Sequence, residues 1–133
     1  MTLHIQPDLQ SQLNAIFQRC AELEFAVLVG SQASGESKPD SDWDIAIRWV
    51  RDVSAFRRLA LTEALRLDLA RALKVEPEKI DLIDLAAARL AMRAQVAEHG
   101  LVLYGADRLP WLRFLQTTWA EIEDFDWRQR HAA

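Results

Sequence analysis

Residues 25–47 read FAVLVGSQASGESKPDSDWDIAI, two apolar runs on either side of a polar segment. The first run, 25–29, is apolar throughout, which is typical of a β-strand buried on both faces. The polar segment is rich in Gly, Ser and Pro, residues that favour turns. We therefore predict strand, loop, strand, with Gly30 and Ser31 at the end of the first strand and Asp42 and Asp44 at the start of the second.

The two aspartates at the start of the second strand, Asp42 and Asp44, are spaced so that they could bind metal ions together. Residues two apart on a strand point to the same face, and their backbone positions lie ~6.6 Å apart. Carboxylates at that spacing can converge on one divalent cation or on two neighbouring ones. Oxygen ligands of this kind suit Mg²⁺, particularly when substrate phosphates complete its coordination shell. Asp42 and Asp44 are therefore candidate magnesium ligands.

A third carboxylate is expected from the strand predicted near residues 79–85, which carries Asp81 and Asp84. These two residues are three apart, so they face opposite sides of a strand and only one can readily join the first pair. The spacing alone leaves open which of the two it is. Asp84 is also a candidate cap for a helix that begins near Ala86.

The remaining chain alternates between helical and strand-like patterns. Helices are predicted at 7–20, 53–73, about 85–98 and from about 108, and strands at 24–30, 43–50, 79–85 and 101–104. The helix at 53–73 is expected to pack through an apolar stripe and to be capped by Asp52 or Ser54. The stripe consists of Phe56, Leu59, Ala60, Leu67 and Ala70. Residues 1–133 thus predict one α/β domain, a mixed four-stranded sheet flanked by helices.

The pattern Gly30-Ser31, ten residues, then Asp42-x-Asp44 resembles the signature of a known family. It is similar to that of the minimal nucleotidyltransferases of the DNA polymerase beta superfamily. Closer still, the chain resembles the MNT antitoxins that pair with HEPN toxins. The segment Ile80-Asp81-Leu82 matches the family's later acidic strand, so the resemblance selects Asp81 as the third carboxylate and leaves Asp84 as the expected cap of the helix near Ala86. The resemblance covers most of residues 9–105, and the last helix matches only loosely.

This resemblance implies a function and assigns roles to the candidate residues. Asp42, Asp44 and Asp81 would hold two Mg²⁺ ions, with Asp81 on the nucleophile side, where it assists deprotonation of the attacking hydroxyl. Gly30 and Ser31 would bind the nucleotide phosphates. The implied activity is protein adenylylation, in which AMP is transferred from Mg-ATP to a tyrosine of a cognate HEPN toxin and neutralises it.

Two alternatives to this function stay open. One is a non-catalytic antitoxin that binds and occludes the toxin, a role for which the C-terminal aromatic residues would matter more than the carboxylates. The tryptophans of the last helix, Trp111, Trp119 and Trp127, are candidates for such a surface, although Trp111 is expected to pack on its own domain. A small-molecule nucleotidyltransferase is the other alternative, but such enzymes usually carry an additional domain for the acceptor.

Composition narrows the classes of partner and compartment. The formal net charge is −4, whereas an unspecific nucleic-acid binder normally shows a basic surface, so no direct nucleic-acid binding is expected. The N-terminus does not resemble a signal peptide, and no apolar run approaches the ~20 residues of a membrane span. The single cysteine, Cys20, excludes an internal disulfide and fits the reducing cytoplasm, where we expect the protein.

Overall fold

The computed structural model describes residues 5–132, which form an α/β fold. Its elements follow in chain order: α1 Pro7–Gln18, β1 Leu23–Val29, α2 Gly30–Ser34, β2 Trp43–Trp49, α3 Ala55–Leu73, a 3₁₀ turn Pro77–Lys79, β3 Ile80–Asp84, α4 Leu90–His99, β4 Leu101–Tyr104 and α5 Leu109–Arg130. Among these residues, no helix combines the length and the apolar content that crossing a bilayer requires.

The four strands form one mixed sheet in the order β3-β2-β1-β4, which confirms the predicted fold class. β1 runs antiparallel to both of its neighbours, whereas β2 and β3 are parallel. Parallel neighbours need a crossover connection, and the 19-residue α3 supplies it. Ser54 caps this helix, because its side chain accepts a hydrogen bond of 3.2 Å from the backbone N–H of Arg57.

Both faces of the sheet are covered, which explains why β1 is apolar throughout. On one face α1 and α3 pack through residues such as Phe17 and Leu69. On the other face Phe25 meets Trp111 and Phe114 of α5, with ring centroids 5.1 and 5.5 Å apart. Alternate β1 side chains enter the two layers, so this strand has no solvent-facing side that would need polar residues.

The predicted apolar stripe of α3 is wrong for four of its five residues, since only Ala70 among them is buried. Phe56 is 83% exposed, and Leu59 and Leu67 also face solvent, while Leu65 and Leu69 are buried with Ala70. Leucines occur on more than one side of this helix, so their spacing alone did not show which side meets the sheet.

Two boundaries near the site also differ from the prediction. The helix expected from about residue 85 begins at Leu90. Instead of capping that helix, Asp84 closes a turn, because its Oδ1 accepts a hydrogen bond of 3.0 Å from the backbone N–H of Ala86. In addition, the short helix α2 follows β1 where only loop was expected, and it ends at Gly35 in the left-handed conformation.

Candidate active site

The centre of the site is a pair of carboxylates on neighbouring strands. In the parallel pairing of β2 with β3, Asp44 lies directly opposite Asp81. In the antiparallel pairing of β1 with β2, Asp44 lies opposite Val29, the last residue of β1. Adjacent strands are about 4.8 Å apart, so the end of β1 and the starts of β2 and β3 meet at one edge of the sheet. The fold thus brings together two acids that are far apart in sequence.

Gly30 lies against the Asp44 carboxylate. Its backbone φ of +73° falls in the left-handed region, where a residue with a Cβ is strained. A Cβ built on Gly30 would collide with Oδ2 of Asp44. The absence of a side chain at position 30 therefore leaves this carboxylate oxygen open to a ligand.

The carboxylates repel one another in the absence of a counter-charge. The pKa of Asp44 is raised, first by burial and then by the negative charges of Asp81 and Asp42. A bound cation would relieve this repulsion, and carboxylate oxygens are the donors that Mg²⁺ prefers. The three acids therefore fit magnesium by donor type and charge. Within residues 5–132, however, no group of three or more His, Cys, Asp or Glu side chains is placed closely enough to hold a metal ion.

Asp42 lies just before β2, and its side chain is exposed to solvent and close to a lysine. The Nζ atom of Lys79 is 3.8 Å from Oδ1 of Asp42 and donates a hydrogen bond of 2.9 Å to the carbonyl oxygen of Asp40. Lys79 was not among the residues predicted for the site. Its position near Asp42 follows from the strand register. Trp43 pairs with Ile80, so the residues that precede the two strands are neighbours.

Asp84, the other acid of β3, is not brought to this edge. It pairs in register with Ile47, three residues further along β2 than Asp44. Its Oδ2 is 3.4 Å from Nε of Arg58 and its Oδ1 accepts from the Ala86 backbone. Its position and partners favour a structural role, which supports the choice of Asp81 as third carboxylate.

Ser31 follows Gly30 in the short helix α2 and is half-buried. Its carbonyl oxygen accepts hydrogen bonds from the Ser34 hydroxyl at 3.2 Å and from the Glu36 backbone N–H at 3.1 Å. These bonds use the carbonyl and leave the Ser31 hydroxyl to interact with a ligand. At the opposite end of the site, the Arg66 guanidinium donates to the carbonyl of Ile80 and so fixes the backbone immediately before Asp81.

The fold is shared with chains of known toxin–antitoxin structures. A chain from the crystal structure of a toxin–antitoxin with AMP-PNP superposes with a TM-score of 0.69 at 24% identity, over 91% of this chain and 93% of that one. A chain from a structure of tri-AMPylated Shewanella oneidensis HEPN toxin in complex with MNT antitoxin gives 0.64 at 23% identity, over 95% and 94%. A chain from a MntA-HepT toxin–antitoxin structure gives 0.63 at 23%, over 94% of each. No curated protein sequence matches the chain.

Sequence-family comparison gives the classification. The family model described as polymerase beta, nucleotidyltransferase matches residues 11–109. The match spans both strands of the Gly-Ser and Asp-x-Asp signature and the strand of Asp81, and it ends where α5 begins. It covers well over half of the chain, and the mixed sheet observed here agrees with it. The chain belongs to the polymerase beta nucleotidyltransferase family.

Proposed function

We propose that this protein is an antitoxin that transfers AMP from Mg-ATP to a tyrosine hydroxyl of a cognate HEPN ribonuclease toxin. The observation that carries the proposal is the edge of the sheet where Asp44 faces Asp81 and Gly30 leaves the Asp44 carboxylate open. Family membership supports nucleotidyl transfer. The toxin as acceptor is supported by the similar chains, which come from toxin–antitoxin structures that include AMP-PNP and a tri-AMPylated HEPN toxin.

In this proposal Asp42, Asp44 and Asp81 hold Mg²⁺, with two ions as the expected number. When bound, the metal neutralises negative charge on the triphosphate and on the departing pyrophosphate. The Nζ atom of Lys79 lies 3.8 Å from Oδ1 of Asp42, so its ammonium group would add positive charge beside the bound phosphates.

The transfer itself exchanges one phosphorus–oxygen bond for another. The tyrosine oxygen forms a bond to the α-phosphorus, the bond from that phosphorus to the bridging oxygen breaks, and pyrophosphate leaves. Asp81 accepts the proton of the tyrosine hydroxyl and passes it to solvent. Gly30 allows the backbone to approach the phosphates closely, and Ser31 donates to the β- or γ-phosphate from its hydroxyl and backbone N–H.

The toxin needs a docking surface, and we assign it to the end of α5. Phe125 and Trp127 are 52% and 57% exposed, and both lie beyond the residues that the family model matches. Phe125 continues the helix face that carries the buried Trp111 and Phe114, past the point where the sheet covers it. Large exposed aromatic residues of this kind are typical anchors of protein interfaces. We also propose that the protein acts in the cytoplasm, where its substrate ATP is available.

A toxin-protection experiment separates catalysis from simple occlusion. Cells would express the partner toxin together with the wild-type protein, Asp44→Asn or Asp84→Asn, at matched levels of folded protein. We expect the wild-type protein and Asp84→Asn to restore growth and Asp44→Asn to fail. Growth restored equally by Asp44→Asn would show that binding suffices, and would replace the enzymatic proposal by occlusion through α5.

A further inference from the structure

A cleft separate from the three carboxylates lies between α5, the 85–89 turn and the far ends of β1 and β2. Its volume is about 640 Å³, within the range of small-molecule sites. Its floor includes Leu85 and Phe114. Neither the nucleotidyltransferase signature nor the proposed transfer reaction uses the residues that line it.

Four arginines converge on this cleft from three parts of the chain. Arg48 and Arg51 come from the end of β2 and the turn after it, Arg93 from α4 and Arg113 from α5. Arg93 is paired with Glu121, Nη1 to Oε2 at 2.6 Å. Across residues 5–132 no ion pair involves the other three. With Glu24 and Glu121 as the acids of the lining, the cleft keeps an excess of positive charge in a chain whose net charge is −4.

A buried hydroxyl in the wall of the cleft also lacks a partner. Thr118 is 1% exposed, and among residues 5–132 its Oγ1 atom makes no hydrogen bond. Buried polar groups are nearly always hydrogen-bonded, because an unpaired one costs roughly 1–3 kcal/mol. Because Thr118 lines the cleft, its unpaired Oγ1 is a candidate partner for a ligand, and the neighbouring Thr117 adds a second hydroxyl to the lining.

The cleft and the carboxylates share one face of the sheet but lie at opposite ends of it. Ala46 belongs to the layer beneath α4 and α5, and alternation along β2 puts Asp44 and Arg48 on that same face. Four residues of strand separate the two backbone positions by ~13 Å. The face is therefore acidic at one end and basic at the other.

We propose that this arginine cleft binds a phosphate ester of nucleotide size without a metal ion. Guanidinium groups present paired N–H donors that match phosphate oxygens, and the volume admits a mononucleotide. Without metal the carboxylate end repels the same anion. The site does not depend on the transfer reaction, so either proposal can fail alone.

The test is titration of residues 1–133 with AMP and with inorganic phosphate in the presence of EDTA, with binding measured by calorimetry and by backbone amide NMR. We expect AMP to bind, to weaken as salt rises, and to shift the amides of Ala86, Ala88, Thr117 and Thr118. The double variant Arg48→Gln/Arg113→Gln should bind at least about tenfold more weakly. Arg19→Gln, an exposed arginine at the end of α1 on the opposite face, is the matched control and should bind normally.

Each further outcome has a defined meaning. Equal affinity for AMP and inorganic phosphate would support the site and show that it recognises the phosphate group alone. Tighter binding of AMP would show that the site also contacts the nucleoside. Unchanged binding in the arginine double variant, or loss of binding in Asp44→Asn, would overturn the proposal. Binding of an oligoglutamate peptide without binding of either AMP or phosphate would also overturn the proposal, because that result would identify a protein-docking surface.

Discussion

Gly30 and Gly35 both adopt left-handed backbone conformations, with φ of +73° and +81°, but their surroundings differ. A Cβ on Gly30 would strike the Asp44 carboxylate, whereas a Cβ on Gly35 would meet nothing within 4 Å. The pair therefore separates backbone strain from damage to the site. The spacing of Gly-Ser and Asp-x-Asp was enough to predict that Gly30 lies at the end of β1 and Asp44 at the start of β2, because these two strands follow each other in the chain.

Alanine at the two glycines should strain the backbone in both cases but disturb the site in only one. Gly35→Ala should lower the free energy of unfolding by about 1 kcal/mol, the cost of a left-handed alanine, and Gly30→Ala by at least that amount, because its Cβ also displaces the Asp44 carboxylate. Only Gly30→Ala should also displace Asp44 and reduce AMP transfer, by roughly 100-fold. Denaturant unfolding and transfer rates measure the two quantities. Equal loss of activity in Gly35→Ala would show that strain, not contact with Asp44, is responsible.

Because the pKa of Asp44 is raised in the folded protein, the ionised form of this carboxylate lowers the stability of the fold. Between the ordinary aspartate pKa and the raised one, the folded protein holds more protons than the unfolded chain. The contribution of Asp44 to stability is thus greatest at low pH and declines as pH rises through that window. In EDTA at pH 7, Asp44→Asn should raise the melting temperature by about 2 °C, and the gain should shrink toward pH 3.

Asp84→Asn is the matched control for this measurement. Asp84 faces Arg58 at 3.4 Å, so removal of its charge should leave stability unchanged or lower it slightly. A lower melting temperature for Asp44→Asn than for the wild-type protein at pH 7 would contradict the repulsion described here.

Among the elements, α3 and α5 show where sequence patterns were insufficient. The existence of both helices was predicted, and α5 begins at Leu109, close to the expected residue 108. The expected packing of Trp111 on its own domain is confirmed. The face that α3 buries was not predicted correctly, because apolar residues occur on several sides of that helix. The start of α4 was missed because the turn closed by Asp84 depends on its tertiary position beside β2. The partner-binding role of α5 remains a prediction.

Truncating the exposed aromatics of α5 should weaken toxin binding without harming the fold. Phe125→Ala/Trp127→Ala should raise the Kd for the toxin by roughly 30-fold or more, as for aromatic hot spots, with little change in melting temperature. Phe56→Ala is the control, because Phe56 is an exposed phenylalanine on α3. Binding assays on the purified pair measure this effect. Normal affinity of the α5 variant would place the docking surface elsewhere.

At the scale of the whole molecule, the fold class could be predicted because it needs only element types and their order. That Asp81 would join Asp44 was expected from the family resemblance, but the parallel register of β2 and β3 that brings the two residues together could not be predicted from the sequence. Lys79 and the arginine cleft were missed for the same reason. Arg48, Arg51, Arg93 and Arg113 are dispersed in sequence, and the sheet, α4 and α5 bring them to one cavity.

The most direct measurement is the intact mass of the partner toxin after incubation with this protein, ATP and Mg²⁺. Adenylylation predicts a gain of one or more AMP units on a tyrosine, retained with Asp84→Asn and abolished with Asp44→Asn or EDTA. An unchanged toxin mass, despite a stable complex and folded wild-type protein, would contradict the proposed enzymatic mechanism.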